Sequence, residues 1–262
     1  MGGTVVVAVV AGVVAALTLF SGFGLGTLLM PAFAVFFPLP AAIAATAVVH
    51  LANNVFKVVL VGRKASWPVV LRFGLPATMA AIVGAELLAT TAAVPPLASY
   101  TLAGETHVVT PLKVGVAVLM VGFALLELLP RFRDLAFDRR WLAVGGLASG
   151  FFGGFTGQQG ALRSAFLVRA GLDPQAFIGT GVVAAVLVDV ARLCVYGSGF
   201  YGARFGDLPP GLAVPLVAAT AAAFLGSFLG ARLLARVTSR AVQRIVGGLL
   251  VVVALGLGTG LL

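Results

Sequence analysis

The chain is a succession of long apolar stretches interrupted only by glycine, proline or isolated charges. That pattern restricts it to a bilayer, whose hydrocarbon core of about 30 Å takes about 20 apolar residues per helical crossing. The stretches cover 4–20, 27–37, 41–61, 69–90 and 111–129, then 141–153, 161–170, 175–196, 210–235 and 241–262. Only 10% of the 262 residues are charged and 61% are hydrophobic, with a mean hydropathy of +1.14, whereas soluble domains carry roughly 25% charged residues. A single soluble globule is excluded. One cysteine, Cys194, cannot form an intramolecular disulfide, and no Cys/His cluster has metal-ligand spacing, so neither metal nor cofactor is expected. Met1-Gly2-Gly3 gives the first stretch no basic flank of the signal-peptide kind, so it is read as structure.

The order of segment lengths (long, short, long, long, long) occurs twice. An offset of 134 superposes Gly26 on Gly160, Pro40 on Pro174 and Thr46 on Thr180, and Gly84-Ala85-Glu86-Leu87-Leu88 resembles Gly230-Ala231-Arg232-Leu233-Leu234. The expected organisation is a first repeat, 1–130 (hairpin 4–37, spans 41–61, 69–90 and 111–129), a basic cytoplasmic linker, 131–140, and a second repeat, 141–262. The second repeat comprises a hairpin, 141–170, and spans 175–196, 210–235 and 241–262.

The net charge of +9 does not point to nucleic acid, because the basic residues punctuate apolar runs and read as topology signals. Thirteen fall on one side: Lys57, Arg63, Lys64, Arg72, Arg131, Arg133, Arg139, Arg140, Arg169, Arg232, Arg236, Arg240 and Arg244. Lys113 and Arg204 fall on the other. The rich side is cytoplasmic by the positive-inside rule, which puts both termini outside a bacterial-type inner membrane. The first short pair then begins and ends outside, the second inside, so the halves have opposite orientation. The fold class expected is an all-α polytopic membrane protein of two inverted-topology repeats, each a re-entrant Gly-rich helical hairpin plus three transmembrane helices.

Residues 141–153 and 161–170 reach only about 20 Å and 15 Å as helices, too short for comfortable crossings. Read as re-entrant, the hairpins bring their tips, Ser21-Gly22-Phe23-Gly24-Leu25-Gly26 and Gly153 to Gly160, together near the midplane. The half-helices that follow, from Thr27 and Ala161, aim unpaired N–H groups at that point, which suits an anion. Arg163 lies three residues into the second half-helix, too deep to reach an interface, and Thr156, Gln158, Gln159 and Ser164 offer hydrogen bonds beside it. Arg163 could equally cap carbonyls of a neighbouring helix.

Thr46, His50, Asn53 and Lys57, spaced four, three and four, form one polar stripe on an apolar helix. His50 there could contact an anion or carry a coupling proton, or the stripe could simply bond helices together. Asp189 and Arg192, at i, i+3, should pair with each other, with Asp189 on the face opposite Thr180; that favours a structural ion pair, although Asp189 is also a proton-coupling candidate. Glu86, Glu127, Lys113 and Arg72 lie near span ends with solvated heads. Gly146, Gly150 and Gly154, and Gly226 with Gly230, repeat at i, i+4 and mark close helix packing.

The duplicated Gly-rich tip followed by a short helix, a proline and an Ala-Thr or Gly-Thr step resembles the TauE/SafE sulfite-exporter family. Its carriers are Gly22-Phe23-Gly24-Leu25-Gly26 to Pro31, Pro40, Ala45-Thr46, Gly157 to Gly160, Pro174 and Gly179-Thr180. The resemblance implies a secondary transporter of small anions, sulfite or an organosulfonate first, working by alternating access around a midplane site. A carrier of a small carboxylate, and an anion channel or facilitator, are the alternatives. Gln158-Gln159 stand where the family pattern has glycines, and Arg163-Ser164-Ala165 replaces the apolar run and proline seen at Pro31, which points to a larger anion. Expected to bind substrate are Gly22, Phe23, Gly24, Gly26, Thr27, Thr46, His50, Asn53, Gly157, Gln158, Gln159, Gly160, Arg163 and Thr180, with His50 and Asp189 as coupling candidates.

No enzyme is expected. Ser149 lacks the glycine two residues before it that a rhomboid-type serine requires, and neither histidine sits in a His-Glu-x-x-His motif. The partners expected are a small anionic substrate and the bilayer, with no nucleic acid; a homodimer is compatible with this reading.

Overall fold

The computed structural model describes residues 2–17, 25–129, 135–201, 209–233 and 239–262, with their side chains except those of 127, 201 and 231–246. Helices α1 (Gly2–Leu17), α2 (Leu25–Ala34) and α3 (Leu39–Val61) come first, and a 3-10 turn (Gly62–Lys64) follows α3. Then α4 (Trp67–Val69) runs through a π-helical turn (Val70–Gly74) into α5 (Leu75–Ala92). Strands β1 (Ala98–Leu102) and β2 (Glu105–Val109) lead to α6 (Pro111–Leu128). The second half holds α7 (Leu142–Thr156), α8 (Gly160–Leu167), α9 (Pro174–Tyr201), α10 (Ala213–Leu233) and α11 (Ser239–Thr259).

Prolines start α3, α4 and α6 where a missing N–H costs nothing. Asp173 caps α9, its Oδ1 accepting from the backbone nitrogens of Gln175 and Ala176 at 2.9 Å each. Pro76 cannot donate to the carbonyl one turn back, and the π turn at Val70–Gly74 is where the ladder adjusts.

Four helices among the described residues are long and apolar enough to cross a membrane: Leu39–Lys64, Trp67–Ala92, Pro174–Phe200 and Ala213–Gly230. Gly2–Leu17, Leu25–Ala34, Pro111–Leu126 and Gly247–Thr259 are apolar but shorter. Valines and leucines such as Val9, Val59, Val118, Val217 and Val252 face outward, while Asn53, Asp189 and Arg192 are enclosed, an arrangement that lipid rather than water stabilises. The chain is a multi-pass, predominantly helical membrane protein.

One element departs from the all-α expectation. Between α5 and α6, β1 and β2 pair antiparallel, with Leu102 opposite Glu105. The connecting Ala103 (φ 52°) and Gly104 (φ 86°) are both left-handed, as a two-residue hairpin turn of matching twist requires. The hairpin rests on the end of α11: the Tyr100 hydroxyl donates to the Thr259 carbonyl at 2.7 Å. Lys113 Nζ donates to the Val108 carbonyl at 2.9 Å, which satisfies the ammonium at the start of α6.

The most extensive helix interfaces are α5 with α7 and α1 with α10, followed by α6 with α11 and α3 with α9. The initial helix of each half therefore packs on a helix of the other half. Both crossings are made by small residues. A Cβ on Gly146, Gly150 or Gly154 of α7 would collide with the carbonyls of Phe73, Ala77 and Ala81, and one on Gly226 or Gly230 of α10 with those of Gly12 and Ala16. In both, residue numbers rise together, so the paired helices run parallel. The α3 and α9 pair is antiparallel, with Ser66 against Thr180 at one end and His50 against Asp189 further along. So is α6 with α11, where Leu128 meets Gly247 and Ala117 meets Gly258.

Candidate functional site

The site begins with a reversal. Helix α7 ends at Thr156, Gly157 takes a left-handed φ of 83° with its N–H on the Gly153 carbonyl, and α8 starts at Gly160. Only Gly157, Gln158 and Gln159 separate the two helices. Helix α2 arrives at this point: a Cβ on Gly26, near its start, would lie 2.9 Å from the Gly157 carbonyl oxygen and 3.7 Å from His50 Cδ2. Glycine at 26 is what permits α2, α3 and the second tip to converge.

Behind the tip, Asp189 organises a closed network. Its Oδ1 accepts from Arg192 Nε (3.0 Å), Arg192 Nη2 (2.7 Å) and Gln159 Nε2 (3.2 Å). Its Oδ2 lies 2.6 Å from His50 Nδ1 and accepts from Asn54 Nδ2 at 3.2 Å. Five donors thus surround one carboxylate, which leaves it no capacity to serve as a substrate ligand. Arg192 also donates to the Gly153 carbonyl at 3.2 Å, and the Tyr196 hydroxyl to that of Gly154. These carbonyls form the negative end of α7, so the cation and phenol of α9 clamp the tip where the helix dipole favours them. Ser149 completes the clamp by donating to the Gln159 carbonyl at 2.9 Å.

A second set of buried polar side chains is not bonded into this network. Gln158 is buried, yet neither its Oε1 nor its Nε2 has a hydrogen-bond partner among the described residues, and Thr46 Oγ1 and Asn53 Nδ2 are in the same position. Ser227 of α10 donates to Asn53 Oδ1 at 2.8 Å, which fixes the amide with its nitrogen turned to the unpartnered side. The Arg163 side chain lies over Gly181 of α9, where a Cβ would be 3.6 Å from Nε. Lys57 is close enough for the two cations to repel. Among the described buried residues, Lys57, Arg163 and Arg192 carry positive charge and Asp189 alone is negative.

The residues expected from the sequence are therefore distributed unevenly. Gly22, Phe23 and Gly24 lie outside the described residues. Gly26, His50, Gly157, Gln158, Gln159 and Gly160 meet at the tip; Thr46, Asn53 and Lys57 continue the α3 stripe from it. Thr27 is half-buried on the first turn of α2. Thr180 stands apart: its hydroxyl accepts from the Ser66 backbone nitrogen at 2.9 Å and secures the turn after α3. Asp189 does pair with Arg192, but it also faces His50 and Asn54. Nothing in the sequence singles out Asn54 or Ser227, and Ser149 stands out there only as a rejected protease serine. Tyr196 had a signal, since Asp189, Arg192 and Tyr196 follow at three and four and share a helix face.

A match to the family described as "Sulfite exporter TauE/SafE" spans residues 4–257 of this chain. No curated protein and no solved structure matches it.

Proposed function

The chain belongs to the TauE/SafE sulfite-exporter family, and from that premise we propose that it is a secondary transporter of small anions, sulfite or an organosulfonate first. The observation that carries the reading is the buried Lys57 ammonium, which no salt bridge reaches among the described residues, while the one buried carboxylate among them, Asp189, is already bonded to five donors. A buried cation without a counter-charge is expensive in a membrane interior, and an anion at Lys57 restores balance. Gln158, Thr46 and Asn53 supply the neutral hydrogen bonds that an oxyanion or sulfonate accepts and give the buried amides their missing partners.

The transport mechanism is alternating access around this point by two inverted repeats with re-entrant hairpins. Three features support it. Corresponding helices α3 and α9, and α6 and α11, run antiparallel; the two halves exchange packing partners; and Gly26 meets Gly157 tip to tip. The asymmetry of basic residues supports an orientation with both termini outside a bacterial-type inner membrane.

Thermal unfolding of the detergent-purified chain with sulfite, sulfoacetate, thiosulfate, sulfate, taurine or lactate tests the reading. A ligand selective for the folded state adds about 2.7 kcal/mol at a hundredfold excess over Kd. A selective rise with one anion, lost in Arg163→Ala, is expected. Wild-type affinity in folded Arg163→Ala would remove Arg163 from the site, and no rise with any anion would overturn the assignment.

A further inference from the structure

We propose that the transporter moves a proton together with its anion, and that His50 is where the proton sits. The inference rests on the reading of the chain as an anion transporter.

His50 lies midway along α3, and its two ring nitrogens have different surroundings. Nδ1 is 2.6 Å from Asp189 Oδ2. An ionised carboxylate only accepts, so Nδ1 carries a hydrogen and donates it. That fixes the tautomer and leaves Nε2 as the atom that gains or loses a proton. Asn54 Nδ2 lies 3.0 Å from Nδ1 and 3.5 Å from Nε2, and that amide nitrogen is engaged with Asp189 Oδ2 at 3.2 Å. Nε2 is bonded to Cδ2, the ring atom that approaches Gly26, so this edge of the imidazole faces the meeting point of the hairpins. The His50 side chain keeps 10% of its surface accessible, whereas that of Asp189 keeps none. The imidazole therefore stands between an enclosed carboxylate and the place assigned to the anion.

The charged groups around His50 determine how proton and anion interact. Helix α9 presents Asp189 and Arg192, α8 presents Arg163, and α3 itself adds Lys57 two stripe positions further on. Among the described residues, α2 brings Gly26 and α10 brings Ser227, neither of which titrates. A second proton on His50 adds positive charge to a place already rich in it. The arriving anion is the counter-charge that offsets this. Proton and anion then assist each other's binding, and by linkage the assistance is reciprocal. Ligands that bind together travel together, which gives symport; antiport would require each to exclude the other. No covalent step is involved: Nε2 takes one proton on the side where the anion enters and releases it with the anion on the other, and His50 returns to its neutral form.

The test uses whichever of sulfite, sulfoacetate and lactate stabilises the purified chain most. Calorimetry of its binding in phosphate and in Tris buffer, with the free anion's own protonation measured in a blank, counts protons taken up per anion; about one is expected. Whatever anion affinity His50→Gln retains, its binding should take up no proton, and in liposomes carrying an internal pH dye any anion it moves should move without acidification. The chain has two histidines, so 15N-histidine labelling of His107→Gln isolates the His50 signal. Nε2 should move from an unprotonated to a protonated shift when anion is added, a result that does not depend on the His50 variant folding. Anion binding without proton uptake, or an unmoved Nε2 shift, overturns this inference and leaves the anion site standing. Binding of none of these three, nor of thiosulfate, sulfate or taurine, removes the anion site and this inference with it.

Discussion

Helices α3 and α9 hold corresponding places in the two halves, each following a short hairpin and each with a proline at its start, yet they divide the polar work between them. Helix α9 carries Asp189, Arg192 and Tyr196, all enclosed and all bonded to one another or to the α7 carbonyls. Helix α3 carries Thr46, His50, Asn53 and Lys57, of which Thr46 Oγ1 and Asn53 Nδ2 have no partner among the described residues. One helix is a brace, and the other keeps hydrogen-bonding capacity that the described residues leave unused, which is what the proposed anion site draws on.

The brace should break hardest. Asp189→Ala leaves the enclosed Arg192 guanidinium without its carboxylate and removes the anchor of Gln159, His50 and Asn54; losing one partner of a buried pair costs about 3–5 kcal/mol. A large fall in the thermal midpoint is expected. Replacing both members, Asp189→Leu with Arg192→Leu, should recover part of it, because no lone charge then remains. If the double variant is no better than the sum of the two singles, the pair is not the coupled unit described.

On the α3 side the sign reverses. No salt bridge reaches Lys57 among the described residues, and its ammonium is buried beside Arg163. Lys57→Met removes a desolvated cation and keeps the apolar stem, so the ligand-free protein should be more thermally stable by about 1 kcal/mol while anion affinity falls about tenfold. Thermal midpoints with and without the stabilising anion read both changes at once. A destabilised Lys57→Met would make Lys57 part of the brace.

How far this division is legible in the sequence can be traced residue by residue. Periodicity gave the α3 stripe, and i, i+3 spacing gave the Asp189–Arg192 pair, because both depend only on positions within one helix. The i, i+4 glycines gave the close crossings for the same reason. What spacing could not give is which helix faces which and at what rotation. His50 and Asp189 are 139 residues apart, and their contact depends on the register of α3 against α9. Thr180 was matched to Thr46 by the offset between halves, but equivalent positions need not have equivalent partners, and Thr180 serves the turn at Ser66 instead. The β-hairpin escaped because Ala103 takes a left-handed turn position usually held by asparagine, aspartate or glycine.

Two neighbouring glutamines sharpen the comparison at single-residue resolution. Gln159 Nε2 is committed to Asp189, whereas the Gln158 amide has no partner among the described residues. Gln159→Ala should lower stability by about 1–2 kcal/mol, since it removes a hydrogen bond to a charged group, with little change in anion affinity. Gln158→Ala should do the opposite, weakening anion binding about fivefold to tenfold, or about 1–1.4 kcal/mol, with the ligand-free midpoint nearly unchanged. The paired measurement is thermal unfolding with an anion titration on each variant. Equal behaviour of the two would show that the tip does not separate brace from binding surface.

The smallest effect is expected at Ser227, which touches the site only through Asn53. Its hydroxyl donates to Asn53 Oδ1 at 2.8 Å, so Ser227→Ala removes one neutral hydrogen bond, worth about 1 kcal/mol. The consequence for binding follows from amide geometry. Without the hydroxyl, nothing among the described residues distinguishes the two ends of the Asn53 amide, and a rotated amide turns an oxygen toward the anion instead of a donor nitrogen. Anion affinity should therefore fall about twofold to fivefold, a loss of under 1 kcal/mol, with transport otherwise intact. Asn53→Asp provides the contrast, since a carboxylate there can only accept and repels the anion whichever way it turns. If Ser227→Ala leaves affinity untouched while Asn53→Ala lowers it, Asn53 binds without needing its orientation held. If neither changes affinity, the unpartnered α3 amide is not part of the binding surface, and that surface narrows to the tip and the two cations beside it.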